Sequence, residues 1–275
     1  MEIQHGDCFQ LGNHRLVCGD CTNKNHVDLL FKNTKIDIVF TSPPYWEQRS
    51  YTDEYNKHLQ NWFDLMTGAF SFVPMNEKCQ ILVNLGLITK SGNCLPYWEP
   101  WIDWMQKQNW RRFGWYVWDK LSGLPGVYGG RLAPTFEFVF HFNKIGVEPV
   151  RWVEKTNFNK TSSGTRTKSG ANKKTYNHSN AKTKIPDSVI RITRHSQQQK
   201  HGNHPAVFPI QLPQFILRTW PGIVYDPFAG SGSTMIAAES LGLKSFNMEI
   251  SPTYCQQIIK RWNDQSMIQA TRVQP

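Results

Sequence analysis

The segment from Gly222 to Gly242 constrains this chain more than any other. Gly222-Ile223-Val224-Tyr225 is an apolar run with β-branched residues, the pattern of a buried strand. Asp226-Pro227-Phe228-Ala229-Gly230-Ser231-Gly232-Ser233-Thr234 breaks that run. Met235 to Leu241 follows, a stretch of helix formers that stops at Gly242. Strand, glycine turn and helix in that order predict an α/β sheet that holds a ligand against the turn. Glycines admit close backbone approach, and a helix start offers N–H groups. The spacing is neither G-x-G-x-x-G nor G-x-x-x-x-G-K-[ST], so the dinucleotide and P-loop fingerprints are both excluded.

A second stretch repeats the logic near the other end. Lys35 to Phe40 reads as a buried strand, and Thr41-Ser42-Pro43-Pro44-Tyr45-Trp46 ends it. Each proline lacks an N–H and fixes φ, so the strand stops there. A hydroxyl, two prolines and two aromatics are thereby delivered at the carboxyl end of a strand, where open α/β sheets hold ligands. Taken alone, these residues also suit a plain Pro-Pro turn with a packed tyrosine.

Together the two stretches resemble the amino-group DNA methyltransferases that use S-adenosylmethionine. Ser42-Pro43-Pro44-Tyr45 matches their catalytic tetrad, (D/N/S)-P-P-(Y/F/W), and Asp226 to Thr234 matches their cofactor loop, D-P-F-x-G-S-G-T-T, with Ser233 in place of the first threonine. The tetrad precedes the loop, as in the β class. The resemblance implies a Rossmann-like α/β sheet, mostly parallel with an antiparallel edge strand and helices on both faces. Residues 1–150 and 201–275 would form one permuted catalytic domain, and 151–200 a target-recognition insert. It also implies S-adenosylmethionine as cofactor, held by Asp20, Phe208, Asp226, Pro227, Phe228, Gly230, Ser231, Gly232 and Glu249. Glu249 lies 23 residues past Asp226, an offset that suits ribose hydroxyls at the next strand end. A surface carboxylate that starts the following helix is the other reading of Glu249.

Charge is unevenly placed. The 275 residues carry a formal net charge of +10. Arg151 to Lys200 holds 12 Lys/Arg and 2 Asp/Glu, and the rest is balanced at 19 of each. A neutral body with one basic arm predicts a polyanionic partner, here double-stranded DNA. Lys173, Lys174, Lys182 and Lys184 are candidates for phosphate contact, and Arg191 and Arg194 for base contact. Lys155 to Lys184 has too few apolar residues for a core of its own. A solvated basic loop is compatible with the same composition.

No run approaches a membrane span, and the first residues contain no apolar leader core. Six scattered cysteines in a chain of this length predict no disulfide framework and a reducing, cytoplasmic or nucleoid setting. Cys18-x-x-Cys21 with His201-x-x-His204 is a weak zinc pattern, and we expect no metal. A cognate restriction endonuclease is a candidate partner.

Further elements follow from periodicity. We expect a short strand ending in Asp20, helices at Asn25–Phe31, Trp62–Phe72, Leu212–Trp220 and Pro252–Trp262, and strands at Cys79–Leu85 and Lys244–Glu249. Trp98, Trp101, Trp104 and Met105 recur at helical spacing, which predicts a core face rather than a base-stacking row. Arg112–Trp118 and Glu137–Phe142 alternate as strands that pair at the antiparallel edge. Glu137 reads as a structural carboxylate without chemistry, and Glu47–Tyr55 as a loop over the site.

The chemistry implied is methyl transfer to an exocyclic amine. That nitrogen is conjugated with its ring and is a poor nucleophile. Ser42 Oγ and the Pro43 carbonyl would accept its hydrogen bonds, Tyr45 would stack on the flipped base, and Trp46 would wall the pocket. A serine tetrad favours N4 of cytosine over N6 of adenine. An RNA or protein methyltransferase, or an inactive DNA-binding relative, are the remaining alternatives.

Overall fold

The computed structural model describes residues 2–45, 62–90, 92–123, 126–155, 182–194 and 208–273. Trp46, the loop 47–55, Lys173, Lys174, His201 and His204 lie outside the described residues.

The chain begins with β1 (Cys8–Leu11), β2 (His14–Cys18), α1 (Lys24–Phe31) and β3 (Ile36–Thr41). Next come α2 (Trp62–Ser71), β4 (Met75–Leu85), the small hairpin β5 (Ile88–Lys90) and β6 (Asn93–Leu95), and α3 (Glu99–Lys107). Then follow β7 (Arg111–Asp119), β8 (Phe136–Asn143), β9 (Val153–Glu154), β10 (Thr183–Lys184) and β11 (Val189–Arg191). The last part holds α4 (Gln211–Thr219), β12 (Val224–Asp226), α5 (Ser233–Ser240), β13 (Ser245–Glu249), α6 (Pro252–Gln265) and β14 (Thr271–Val273).

Ten of these strands form one sheet in the order β11-β7-β8-β4-β3-β12-β13-β2-β1-β14. The five central strands, β4-β3-β12-β13-β2, are all parallel. Antiparallel pairs flank them on both sides. Strands β7 and β8 pair as expected, but they do not close the sheet: β11 adds parallel outside β7. That strand falls inside the span 151–200, so the sheet takes one of its strands from there.

Alternation decides which helix covers which face. Val39 and Tyr225 point into a core shared with α1, α2 and α3, while Ile38, Phe40 and Val224 point into one shared with α4 and α5. A third cluster joins Leu16 and Cys18 of β2 to Cys255, Ile258 and Trp262 of α6. Strands buried on both faces read as near-continuous apolar runs, as β3 and β4 do. Trp98, Trp101 and Met105 are buried in this packing, so the tryptophan row is core, as its spacing predicts.

The chain leaves β3 for β4 on one side and leaves β12 for β13 on the other. The strand order therefore reverses between β3 and β12. A crevice opens at such a switch point, outside the carboxyl ends.

Candidate active site

The parallel strands all end at one edge of the sheet. Asp20 follows β2, Ser42 follows β3, Gly86 follows β4, Asp226 closes β12 and Glu249 closes β13. Antiparallel pairing brings Glu137, at the start of β8, and Asp119, at the end of β7, to the same edge. Arg191 of β11 sits opposite Asp119 there.

On one side of the crevice is the glycine turn. Gly230 and Gly232 have φ of 54° and 77°, backbone that a Cβ disfavours. A Cβ on Gly232 would also press on Ile258 at 3.2 Å. Glu249 is buried and ties the turn to its neighbours: Gly230 N–H donates to Oε2 at 2.8 Å, and Ser251 N–H to Oε1 at 2.9 Å. It is thus a buried clasp, not a surface residue. Arg261 Nη1 donates to the Ser231 carbonyl at 2.9 Å and secures the turn from α6.

Asp226 is 1% exposed. Its Oδ1 accepts from Thr41 Oγ1 at 2.7 Å and from Phe228 N–H at 3.1 Å. Its Oδ2 makes no hydrogen bond, although the Thr234 hydroxyl lies close enough to ease the charge. Burial raises its carboxyl to about 6, against the opposing pull of those hydrogen bonds. Asp20 Oδ1 accepts from both the N–H and the hydroxyl of Thr22 at 2.8 Å, which fixes the turn after β2. Phe208 packs edge-on against Phe40, centroids 5.8 Å apart. This donor and acceptor set fits S-adenosylmethionine. A buried carboxylate with an unengaged oxygen suits the cationic amino-acid end, and two further carboxylates at adjacent strand ends suit the nucleoside hydroxyls and amine.

On the other side is the tetrad, held from four directions. The Thr41 hydroxyl bonds Asp226, which joins the tetrad to the glycine turn. Trp62 Nε1 donates to the Pro44 carbonyl at 2.7 Å. The Tyr45 hydroxyl donates to Glu137 Oε2 at 2.7 Å. The Tyr45 ring lies against Gly86, where an added Cβ would meet Cε2 at 2.7 Å. Tyr97 in turn donates to the Gly86 carbonyl at 3.2 Å. Burial, and then the Glu137 charge, raise the Tyr45 hydroxyl well above the ordinary tyrosine range.

Sequence reasoning left Glu137 without chemistry and passed over Lys120, Trp62 and Gly86. Lys120 Nζ pairs with Glu137 Oε1, and the two side chains are 8% and 14% exposed. The available signal was positional. Once the two strands are paired, a lysine just past one end and a glutamate at the start of the next are cross-strand neighbours.

The basic candidates are spread. Lys182 is exposed, and its carbonyl accepts from Lys155 N–H. Lys184 pairs with Asp187 at 2.6 Å. Arg191 is 61% exposed and 3.9 Å from Asp119 at the site edge, and Arg194 is half-buried. Among the described residues no group of three or more His, Cys, Asp or Glu is placed to hold a metal. No described helix is long and apolar enough to cross a membrane.

A parallel sheet with a glycine turn and a proline tetrad across one crevice defines a methyltransferase of amino groups. The family described as DNA methylase, of the N6/N4 type, matches residues 36–260, and the chain belongs to it: it is an S-adenosylmethionine-dependent DNA amino-methyltransferase. The Type II methyltransferase M.MthZI of Methanothermobacter thermautotrophicus is 24% identical over 289 residues, covering 91% of this chain and 77% of that protein. The PvuII DNA methyltransferase (cytosine-N4-specific) overlays with a TM-score of 0.64 at 19% identity, covering 94% of this chain and 89% of that one. The M1.HpyAVI–SAM complex overlays at 0.56 and 18% identity, covering 90% and 99%.

Proposed function

We propose that this chain methylates N4 of a cytosine swung out of double-stranded DNA. The observation that carries the reading is the Thr41–Asp226 hydrogen bond at 2.7 Å. It locks the tetrad that would receive the base to the turn that would receive the cofactor. Two reactants fixed across one crevice approach the transition state with little further ordering.

The cofactor supplies an electrophilic methyl on a sulfonium. Everything else falls to this chain. Ser42 Oγ and the Pro43 carbonyl accept hydrogen bonds from the exocyclic NH₂, which favours the pyramidal nitrogen that attack requires. Tyr45 stacks on the flipped base, and Trp46 walls the pocket. Asp226, Pro227, Phe228, Gly230, Ser231 and Gly232 cradle the amino-acid end, with Phe208 beside it, and Glu249 and Asp20 take the nucleoside. Lys173, Lys174, Lys182 and Lys184 meet phosphates, while Arg191 and Arg194 reach base edges. The position of β11 supports this last assignment, because it carries Arg191 to the edge where Ser42 stands.

The choice of cytosine rests on Ser42. A hydroxyl is a weaker acceptor than the carboxylate of the adenine-type tetrad, and the similarity of serine tetrads to cytosine enzymes points the same way. The test is methyl transfer from labelled S-adenosylmethionine to DNA, then digestion and identification of the nucleoside. N4-methylcytosine is expected. N6-methyladenine would overturn the base while keeping the enzyme. In a restriction-modification setting the partner would be a nuclease blocked by the same mark, so methylated plasmid should resist it.

A further inference from the structure

The loop that joins β7 to β8 starts and ends at the edge where Ser42 stands. Its root is fixed. Asp119 pairs with Phe136, and Lys120 N–H donates to the Thr135 carbonyl at 2.7 Å. Asp119 Oδ1 accepts from Leu121 N–H at 2.8 Å. Farther out the two arms stay close, since a Cβ on Gly123 would meet that of Ala133 at 2.6 Å. The tip is a tight turn. Gly129 and Gly130 have φ of 57° and 85°, and Arg131 N–H donates to the Tyr128 carbonyl at 3.2 Å. Two consecutive positive φ values closed by such a bond are the pattern of a type I′ turn, which only glycine and a few polar residues adopt readily. Val127 and Leu132 flank the turn at matching positions on its two arms, and they are 99% and 93% exposed. Arg131 is exposed between them. Scattered single hydrophobics are ordinary on a protein surface. Two nearly bare ones carried together on a braced turn, at the edge that receives the substrate, are not scattered.

We propose that this tip is a wedge for duplex DNA: Val127 and Leu132 enter the base stack and fill the place left by the base that swings out to Tyr45, while Arg131 meets a neighbouring phosphate. The proposal rests on the reading that a base leaves the helix for the tetrad. The root of the loop is bonded to that tetrad. Lys120 pairs with Glu137, and Glu137 Oε2 accepts from the Tyr45 hydroxyl at 2.7 Å. Wedge and stacking ring are therefore held in one frame. Five residues separate Thr135 from Gly130, so the tip reaches at most about 18 Å from the strand end. That is about twice the depth of either DNA groove, enough for the tip to enter while the root stays at the site. Apolar side chains are the ones that part base steps, because they trade water for the faces of the bases. Their burial offsets part of the unstacking and unpairing that flipping requires.

The test is single-turnover transfer from labelled S-adenosylmethionine by the full chain, on unmethylated genomic DNA kept duplex or heat-denatured. The double variant Val127→Ser, Leu132→Ser should slow transfer to duplex by about 10- to 100-fold, the worth of burying one or two such side chains. On denatured DNA, whose bases are already unpaired, it should match the parent. Cofactor affinity, melting temperature and the salt slope of DNA binding should not change, because both side chains are exposed and neither meets a phosphate. A second readout does not depend on turnover. Closed-circular plasmid relaxed by a topoisomerase in the presence of the parent should emerge underwound, and in the presence of the double variant it should not. Where neither protein modifies denatured DNA, this unwinding decides. Parent-level transfer to duplex, an equal loss on both forms of DNA, or unwinding retained by the variant would each overturn the wedge. A parent-level rate in Tyr45→Ala would instead overturn the reading beneath it, that the tetrad receives a flipped base.

Discussion

At the scale of single residues, Asp226 and Ser42 make opposite demands. Ser42 is half-exposed at the crevice. Ser42→Ala should leave cofactor affinity intact and lower turnover by about 10²–10³-fold, the loss expected for one preorganised polar contact. Equal single-turnover rates in the two proteins would remove Ser42 from the chemistry. Asp226 is buried with one oxygen unengaged, and its carboxyl is raised from 3.8 to about 6. A raised carboxyl favours the folded state fully below the unfolded value and loses that advantage as pH climbs through the folded one. Above pH 6 the buried charge then costs about 3 kcal/mol. Asp226→Asn should be the more stable protein at pH 7 without cofactor, and the two should converge toward pH 4. Urea midpoints across that range test this, and a gap independent of pH would contradict it. The same variant should bind S-adenosylmethionine more weakly, since a carboxylate suits a cationic ligand and an amide does not.

At the scale of elements, the glycine turn is no free-standing loop. It is clasped by Glu249 from the next strand and by Arg261 from α6. Glu249→Ala should weaken cofactor binding by about 1–3 kcal/mol through a lost charge-assisted bond. It should also lower the melting temperature of the cofactor-free protein, because two N–H groups lose their acceptor. An unchanged melting temperature with weakened binding would restrict Glu249 to the ligand alone. This double role marks the limit of what the sequence discloses. The strand–turn–helix and the proline stop were legible because their signals are local: β-branched runs, glycines and prolines. The expected helix at Trp62–Phe72 and strand at Lys244–Glu249 fall within a residue or two of α2 and β13. The clasp was not legible, since Gly230 and Glu249 meet only when β12 and β13 lie side by side. Nor was the Tyr45–Glu137 bond, which joins residues 92 apart. Strand β11 is three residues long within a basic, apolar-poor stretch, so no periodicity could announce it.

At the scale of the whole molecule, charge and chemistry are separately housed. The chain outside 151–200 is balanced, and the excess lies in a span whose described parts reach the catalytic edge through β11. Replacing Lys173, Lys174, Lys182 and Lys184 with glutamine should flatten the dependence of DNA affinity on salt. The expected fall in log-log slope is about 3, because Lys184 already shares its charge with Asp187. An unchanged slope would move the phosphate contacts elsewhere on the surface. The span also has a narrow root. Strands β9 and β10 pair Glu154 with Thr183 and Val153 with Lys184, and Lys155 N–H donates to the Lys182 carbonyl. The polypeptide thus departs and returns through one short two-stranded ladder. Chain entropy makes the content between such ends inexpensive to vary, about 0.6 kcal/mol for each doubling of length. On the proposed assignment, what meets the phosphates between those ends would be exchangeable with the crevice at Ser42 and Asp226 left as it is, while Arg191 and Arg194 lie beyond the root on the sheet side.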